Sequence, residues 1–259
     1  MSTKIRLRAL FALLAVAVLS AGIAACGGDD ETTTSGGGGL IESNPDNAGV
    51  QITVGSKNFT EQFILGEIYA QGLEAAGYDV STDLNVGDET VTLKALKAGE
   101  IDGYPEYVNT ALTSFFGTNP EDVPSDAQQA YEESKADFEQ EGLVSYPPAP
   151  YNSANAVGML TSTADELELE NVSDLEGQSQ DLTLYGSPEC RQRPDCLVGL
   201  EDGYGLEFKE FKPVAIDLRY QVLDKGQADL SILFTSDALL GADPDKYTIL
   251  ADDKGVFPA

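Results

Sequence analysis

Short β-branched segments alternate with longer segments of helical periodicity from residue 50 onward. Residues 50–54 alternate apolar and polar side chains, which predicts a strand, and the apolar residues that follow Asn58 recur at helical spacing. Further strands are predicted near residues 78–84, 101–104, 143–146, 154–160, 182–185, 208–214, 228–234 and 247–250. This alternation predicts an α/β fold in which a mostly parallel sheet carries helices on both faces.

Two of the predicted helices have recognisable ends. A helix over residues 89–98 is followed by Gly99, the residue that most often ends a helix. The first helix has Asn58 or Thr60 as its candidate N-cap, because both side chains can accept a hydrogen bond from a free backbone N–H group.

Two interruptions of the pattern predict a division into two lobes. The proline-rich residues 147–150 break any regular element and are read as a crossing between lobes, and residues 241–244 are read as the return. The first lobe is then expected to comprise residues 50–150 and 245–259, and the second residues 151–244. Two α/β lobes joined in this way form a hinged cleft that can close around a small ligand.

The N-terminus predicts the cellular location of the chain. Basic residues precede the apolar residues 9–25, which are followed by Cys26. This arrangement resembles a bacterial lipoprotein signal, so residues 1–25 are predicted to be a signal peptide and Cys26 a lipidation site. The alternative is an uncleaved anchor helix. Residues 26–49 are rich in Gly, Ser and Thr and are predicted to be a disordered tether, so the chain is expected on the extracytoplasmic face of the cell membrane.

The composition excludes several classes of function. The chain has 15 basic and 44 acidic residues, a formal net charge of −29 and no histidine. The charge argues against a nucleic-acid partner, and the lack of histidine removes the commonest general base and metal ligand. We therefore expect no enzyme, no cofactor and no metal. Cys190 and Cys196 are predicted to form a local disulfide in an oxidising compartment, although two free thiols are the alternative.

Several motifs resemble one family of binding proteins. They are residues 55–62 (GSKNFTEQ), 100–107 (EIDGYPEY), 188–196 (PECRQRPDC), 233–237 (LFTSD) and 252–258 (DDKGVFP). In this order they resemble the osmoprotectant-type substrate-binding proteins of ABC importers, which bind glycine betaine, carnitine or choline. The resemblance implies a type II periplasmic-binding-protein fold and a monomer that delivers a solute to a membrane permease. It also implies that further helical residues after Ala259 complete the first lobe.

The resemblance also implies a set of ligand-binding residues. A quaternary ammonium is held by aromatic faces and a carboxylate by cationic or N–H donors. Lys57 and Asn58 lie in the loop before the first helix, where free N–H groups attract anions. Tyr107 matches a cage tyrosine and Thr110 lies one helical turn later. Arg193 matches the partner of a cargo carboxylate, with a structural ion pair as the alternative.

The chain also departs from the betaine-binding pattern of this family at several positions. Ser153 and Asn155 stand where an acidic or amide residue and a cage tyrosine are usual, and Phe234, followed by Thr235, replaces another cage tyrosine. The cargo is therefore expected to be a quaternary-ammonium or zwitterionic solute, although not necessarily glycine betaine. The alternatives are a binding protein for another small zwitterion, such as an amino-acid derivative, and a sensory lipoprotein.

Overall fold

The computed structural model describes residues 41–258. The predicted signal peptide, the predicted lipidation site Cys26 and residues 26–40 of the predicted tether lie outside the described residues.

Residues 41–141 contain a two-stranded parallel sheet and four α-helices. Strand β1 (Gln51–Lys57) pairs with β2 (Asp79–Gly87), with Ile52 opposite Val80. The helices are α1 (Thr60–Ala75), α2 (Glu89–Ala98), α3 (Val108–Thr110), which continues as a π-helical turn over Ala111–Phe115, and α4 (Ala127–Gln140). The strand predicted over residues 101–104 is reduced to a single bridge between Gly103 and Val54.

Helix α2 has the bounds that its sequence predicts, and both of its ends are capped. The Asp88 side chain accepts a hydrogen bond from the Val91 N–H group, and Gly99 adopts a left-handed conformation with a φ of 72°. Such caps satisfy backbone groups that have no partner within the helix, so they fix where the helix begins and ends.

The segment before β1 is folded, contrary to the prediction of a disordered tether up to residue 49. Residues Pro45–Asn47 form a 3₁₀ turn. The Asn47 side chain donates a 2.8 Å hydrogen bond to the carbonyl of Ala76, and the Asn44 N–H group donates to the same oxygen at 3.0 Å. This carbonyl follows the end of α1 and needs a donor, which explains why the segment is held there.

The rest of the described chain forms a five-stranded sheet with helices packed against it. The strands are β3 (Asn155–Leu160), β4 (Thr183–Gly186), β5 (Glu210–Pro213), β6 (Leu230–Phe234) and β7 (Tyr247–Ile249). The helices are α5 (Thr161–Leu167), α6 (Leu197–Tyr204), α7 (Arg219–Asp224) and α8 (Ala238–Ala242). The strand order is β5-β4-β6-β3-β7. Because β3 is antiparallel to both neighbours, the sheet is mixed and not mostly parallel as predicted.

The C-terminal residues belong with this second sheet, so the assignment of residues 245–259 to the first lobe is wrong for the described part. Strand β7 pairs with β3, placing Thr248 opposite Met159. Val256 and Phe257 are buried in the same hydrophobic cluster as Leu184 and Leu230. The predicted return at residues 241–244 therefore does not occur, and the chain crosses between sheets once, within the described residues, over 141–154.

Among residues 41–258, no helix is long and apolar enough to cross a bilayer.

Candidate functional site

A cleft between the two sheets gathers the predicted ligand residues. Apart from Thr235, every predicted ligand residue lines it: Lys57, Asn58, Tyr107, Thr110, Ser153, Asn155, Arg193 and Phe234. Thr235 does not line the cleft, and its hydroxyl accepts a 3.0 Å hydrogen bond from the Ala154 N–H group instead. The cleft is also lined by residues that the sequence analysis did not single out, among them Phe59, Glu89, Glu189, Asp195, Ile216 and Arg219.

The junction between β1 and α1 presents an aromatic ring to the cleft. Phe59 is the N-cap of α1, in extended conformation and without a side-chain capping bond, so the predicted caps Asn58 and Thr60 are both wrong. The Phe59 side chain is buried, and its ring centroid lies 5.3 Å from that of Phe234. Burial of this ring takes the place of a polar cap in fixing the start of the helix.

Lys57 is held inside the cleft by an acidic and an aromatic partner. Only 4% of the residue is exposed, and its Nζ pairs with the carboxylate of Glu106. Nζ also lies 4.4 Å from the centroid of the Tyr107 ring, within cation–π range. The aromatic face predicted to hold a cargo cation therefore contacts a cation of the protein itself.

Tyr107 and Thr110 lie one helical turn apart, as predicted, and both face the same cleft. Tyr107 precedes α3 and Thr110 is its last residue. The Tyr107 hydroxyl donates to Glu61 of α1. Burial is the main cause that raises the pKa of Tyr107 far above its usual value, and the hydrogen bond to Glu61 adds to it, so this hydroxyl stays protonated.

Glu61 also joins the two parts of the fold. Its carboxylate accepts hydrogen bonds from the hydroxyls of Tyr107, Tyr151 and Ser236, the last at 2.5 Å. Tyr151 lies in the crossing segment, and Ser236 follows β6. Ser153 lies beside this group, with its hydroxyl 2.7 Å from that of Ser236.

Arg193 is saturated by acidic partners. It lies in the loop between Cys190 and Cys196, which form a disulfide with Cα atoms 5.2 Å apart. Its Nε donates to Asp195 Oδ1 at 2.8 Å, Nη2 pairs with the other oxygen of Asp195, and Nη1 lies 3.3 Å from Glu89 Oε1. Burial acts to lower the pKa of Arg193, but the hydrogen bonds and charge of Asp195 outweigh it, and the pKa is raised.

Glu89 is a buried carboxylate at the first position of α2. Burial raises its pKa, and the neighbouring Arg193 charge opposes that shift. Asn155 also contacts Asp195, because its side-chain amide donates a 2.9 Å hydrogen bond to the backbone carbonyl of Asp195. The predicted residues Arg193 and Asn155 are thus linked through Asp195.

Arg219 covers the aromatic ring of Phe234. Its guanidinium carbon lies 4.0 Å from the ring centroid. Nε donates to the Ile216 carbonyl at 2.7 Å, and Nη2 pairs with Asp237 at 3.0 Å. Burial lowers the pKa of Arg219, and the Asp237 charge counteracts it. The sequence gives no local signal for this role, because Arg219 begins a short helix far along the chain from the motifs at residues 55–62 and 100–107.

Comparison with known proteins identifies the family. Residues 50–259 match the family described as the substrate-binding domain of the ABC-type glycine betaine transport system. The chain is 33% identical over 218 residues to a glycine-betaine-binding protein of Pseudomonas aeruginosa, covering 80% of this chain and 68% of the relative. It is 34% identical over 170 residues to the glycine betaine-binding protein YehZ of Escherichia coli, covering 64% of this chain and 55% of the relative.

A third relative is named for another cargo. The chain is 28% identical over 209 residues to an ergothioneine transport permease/ergothioneine binding protein of Helicobacter pylori, covering 80% of this chain but 36% of that longer protein.

The fold agrees with the family. A crystal structure of a glycine betaine/carnitine/choline ABC transporter protein superposes with a TM-score of 0.60 at 24% identity, covering 80% of this chain and 76% of that one. The chain has a type II periplasmic-binding-protein fold and belongs to the family of substrate-binding domains of ABC-type glycine betaine transport systems, which are binding proteins and not enzymes.

Proposed function

We propose that this chain captures a quaternary-ammonium or zwitterionic compatible solute, of the glycine betaine, choline or carnitine class, and delivers it to the permease of an ABC importer. We propose further that it does so as a monomer anchored by lipid at Cys26 on the extracytoplasmic face of the membrane, after removal of residues 1–25.

The observation that carries the cargo class is the pairing of aromatic faces with balanced charges in one cleft. Two of its rings, Tyr107 and Phe234, already lie against cations, at 4.4 Å from Lys57 Nζ and 4.0 Å from the Arg219 guanidinium carbon. Each such contact contributes about 0.5–2 kcal/mol, and a quaternary ammonium, which cannot donate a hydrogen bond, depends on contacts of this kind. The rings of this cleft therefore accept a positive charge against one face, which is the kind of contact that a cationic head group requires.

The ionisable groups favour a cargo that carries both charges. The cleft is lined by three cations and three carboxylates: Lys57, Arg193, Arg219, Glu89, Glu189 and Asp195. A balanced lining does not repel either end of a zwitterion, whereas it gives a simple anion or cation no advantage.

One observation favours the alternative of a different small zwitterion. Lys57 and Arg219 take up ring faces that would otherwise be open to a trimethylammonium group. Asn109 and Asn155 add amide groups to the lining. Both features suit a more polar cargo, such as an amino-acid derivative, and the similarity to an ergothioneine-binding protein is consistent with it.

Calorimetry with the full chain carrying Cys26→Ser tests the cargo class. Glycine betaine, choline, carnitine and ergothioneine are titrated in turn, and we expect one-to-one binding of at least one. Tyr107→Ala is expected to weaken binding of a quaternary ammonium by about 2- to 30-fold, the equivalent of one lost cation–π contact. The matched control is Tyr146→Ala, because Tyr146 is 81% exposed. Undiminished affinity in Tyr107→Ala contradicts the cage role of this residue, and binding of ergothioneine alone favours the alternative.

Membrane attachment is tested separately. Cells expressing the native chain are labelled with a palmitate analogue, and the label is expected in the protein and in the membrane fraction. Cys26→Ser is expected to abolish both. A labelled Cys26→Ser protein contradicts the proposed anchor.

A further inference from the structure

Arg193 carries no uncompensated positive charge while both of its acidic partners are ionised. Its Nε and Nη2 groups donate to the carboxylate of Asp195, and Nη1 lies 3.3 Å from Glu89 Oε1. A third carboxylate at this guanidinium would meet net negative charge, and like charges that share one site oppose each other's ionisation. If Arg193 pairs with the cargo carboxylate, as its motif predicts, one of the two protein carboxylates has to become neutral.

Glu89 is the carboxylate that Arg193 holds less firmly. Asp195 accepts two hydrogen bonds from Arg193, and protonation of Asp195 would weaken both. The contact of Glu89 with Arg193 is an ion pair without hydrogen-bond geometry. Glu89 lines the cleft and is only 6% exposed. Burial raises the pKa of Glu89 although the Arg193 charge opposes the shift, so Glu89 is the partner that more readily becomes neutral.

The charges around Glu89 offer no further compensation to an incoming anion. Lys57 is already paired with Glu106. Tyr104 stays neutral, because burial raises its pKa far above the usual value. Two cations thus face four carboxylates, Glu89 included, which gives the cluster a net charge of −2 when all of them are ionised. The titratable and charged groups that face Glu89 or its arginine partner come from three segments: Lys57, Tyr104, Glu106, Glu189, Arg193 and Asp195.

We propose that capture of a carboxylated solute takes up one proton at Glu89, so that the neutral carboxyl group donates a hydrogen bond to the cargo carboxylate while Arg193 pairs with it. This inference rests on the proposed function. The proton comes from the solvent and returns to it when the cargo leaves. A hydrogen bond from a carboxyl O–H to a carboxylate is charge-assisted and strong. Choline carries a hydroxyl in place of the carboxylate, so it brings no additional anion and takes up no proton.

Calorimetry in buffers of different ionisation enthalpy counts the protons that accompany binding. The full chain carrying Cys26→Ser is titrated with glycine betaine, carnitine, ergothioneine and choline between about pH 5 and 8. The chain has no histidine, the side chain that ordinarily titrates in this range, so the background is low. We expect uptake to approach one proton per carboxylated solute. Between the pKa values of Glu89 in the free and loaded protein, the affinity is expected to fall by up to about tenfold per pH unit.

Variants of single carboxylates assign the proton to its site. Glu89→Gln keeps a neutral hydrogen-bond donor, so it is expected to bind glycine betaine without proton uptake and with an affinity that does not change with pH. The matched control is Glu100→Gln, because Glu100 is exposed beyond the other end of α2 and does not line the cleft. Glu189→Gln tests the neighbouring carboxylate of the cleft. Should Glu89→Gln not fold, Glu89→Ala is measured, and it is likewise expected to take up no proton.

The outcomes separate this inference from the proposed function. If wild type binds none of the four solutes, the proposed function is refuted, and this inference with it. If wild type binds choline alone, or binds a carboxylated solute without proton uptake at any pH, the inference alone is overturned. It is also overturned if uptake persists in the Glu89 variant, or if Glu189→Gln abolishes the uptake in its place. Uptake that is present in wild type and Glu100→Gln and is lost in the Glu89 variant supports it.

Discussion

Replacement of Glu61 by alanine is expected to weaken the contact between the two lobes. In the wild type this carboxylate accepts hydrogen bonds from Tyr107 on its own side of the cleft and from Tyr151 and Ser236 on the other. A hydrogen bond to a charged group contributes about 1.5–3 kcal/mol when it is buried. Tyr151 is 48% exposed and its bond is therefore discounted, so we assign about 1–3 kcal/mol to the two contacts that cross the cleft.

That free energy sets the expected change in affinity. A loss of about 1–3 kcal/mol shifts the ratio of closed to open molecules by about 5- to 150-fold, and cargo that binds the closed form loses apparent affinity by up to the same factor. Calorimetry measures the affinity, and small-angle X-ray scattering measures the change in radius of gyration between free and cargo-loaded protein. Glu67→Ala is the matched control, because Glu67 lies on the same helix and is exposed. Wild-type affinity and unchanged scattering in Glu61→Ala would refute this reasoning.

Three further predictions concern stability and are measured by thermal or urea unfolding. Replacing Cys190 and Cys196 by serine removes a cross-link with a sequence separation of 6 residues, which is expected to cost about 2 kcal/mol and lower Tm by about 4–8 °C; an unchanged Tm contradicts it. Burial raises the pKa of Glu89 above 4.5 in the folded protein, so this carboxyl binds more protons in the folded state than in the unfolded state. The stability that the group contributes is fully present below pH 4.5 and is lost as the pH rises through its pKa in the folded state. Glu89→Gln is therefore expected to gain stability relative to wild type as pH rises above 4.5, and parallel pH profiles contradict this. A chain that begins at residue 50 loses the Asn47 hydrogen bond to the Ala76 carbonyl and is expected to be about 1–2 kcal/mol less stable than one that begins at residue 41. Equal stability of the two chains would mean that residues 41–49 do not stabilise the fold and belong to the tether.

The elements that sequence predicted well are those whose limits are set locally. Helix α2 has an aspartate cap and a left-handed glycine within one turn of its ends, and its bounds are those predicted. The start of α1 is fixed by burial of Phe59 and not by a polar cap, so a search for capping side chains finds the wrong residue. A strand was predicted over residues 143–146, but Val144 and Tyr146 are 74% and 81% exposed, and an alternating pattern cannot show that no partner strand lies beside it.

The residues of the site likewise divide into those that a local motif identifies and those whose role depends on distant residues. Tyr107 and Arg193 lie in sequence motifs and were found, and both line the cleft. Glu89 and Arg219 were missed, because each acquires its role from residues distant in the chain: Arg193 for the first, and Phe234 with Asp237 for the second. Asp195 lies two residues from Arg193 in the same motif, whereas Glu89 is brought to Arg193 only by the tertiary fold, so the motif identifies Arg193 without revealing that Glu89 also neutralises it.

The pairing of β7 with β3 has a consequence for how the chain folds during synthesis and export. Strands β3 to β7 and the cluster around Leu184, Leu230 and Phe257 are contiguous in the sequence, from residue 155 onward. Among the described residues, neither sheet borrows a strand from the other, so each can form its core as its own segment emerges. Misassembly by exchange of strands between the sheets is then disfavoured, and a cut within the exposed crossing at residues 146–151 should leave two fragments that each keep their secondary structure.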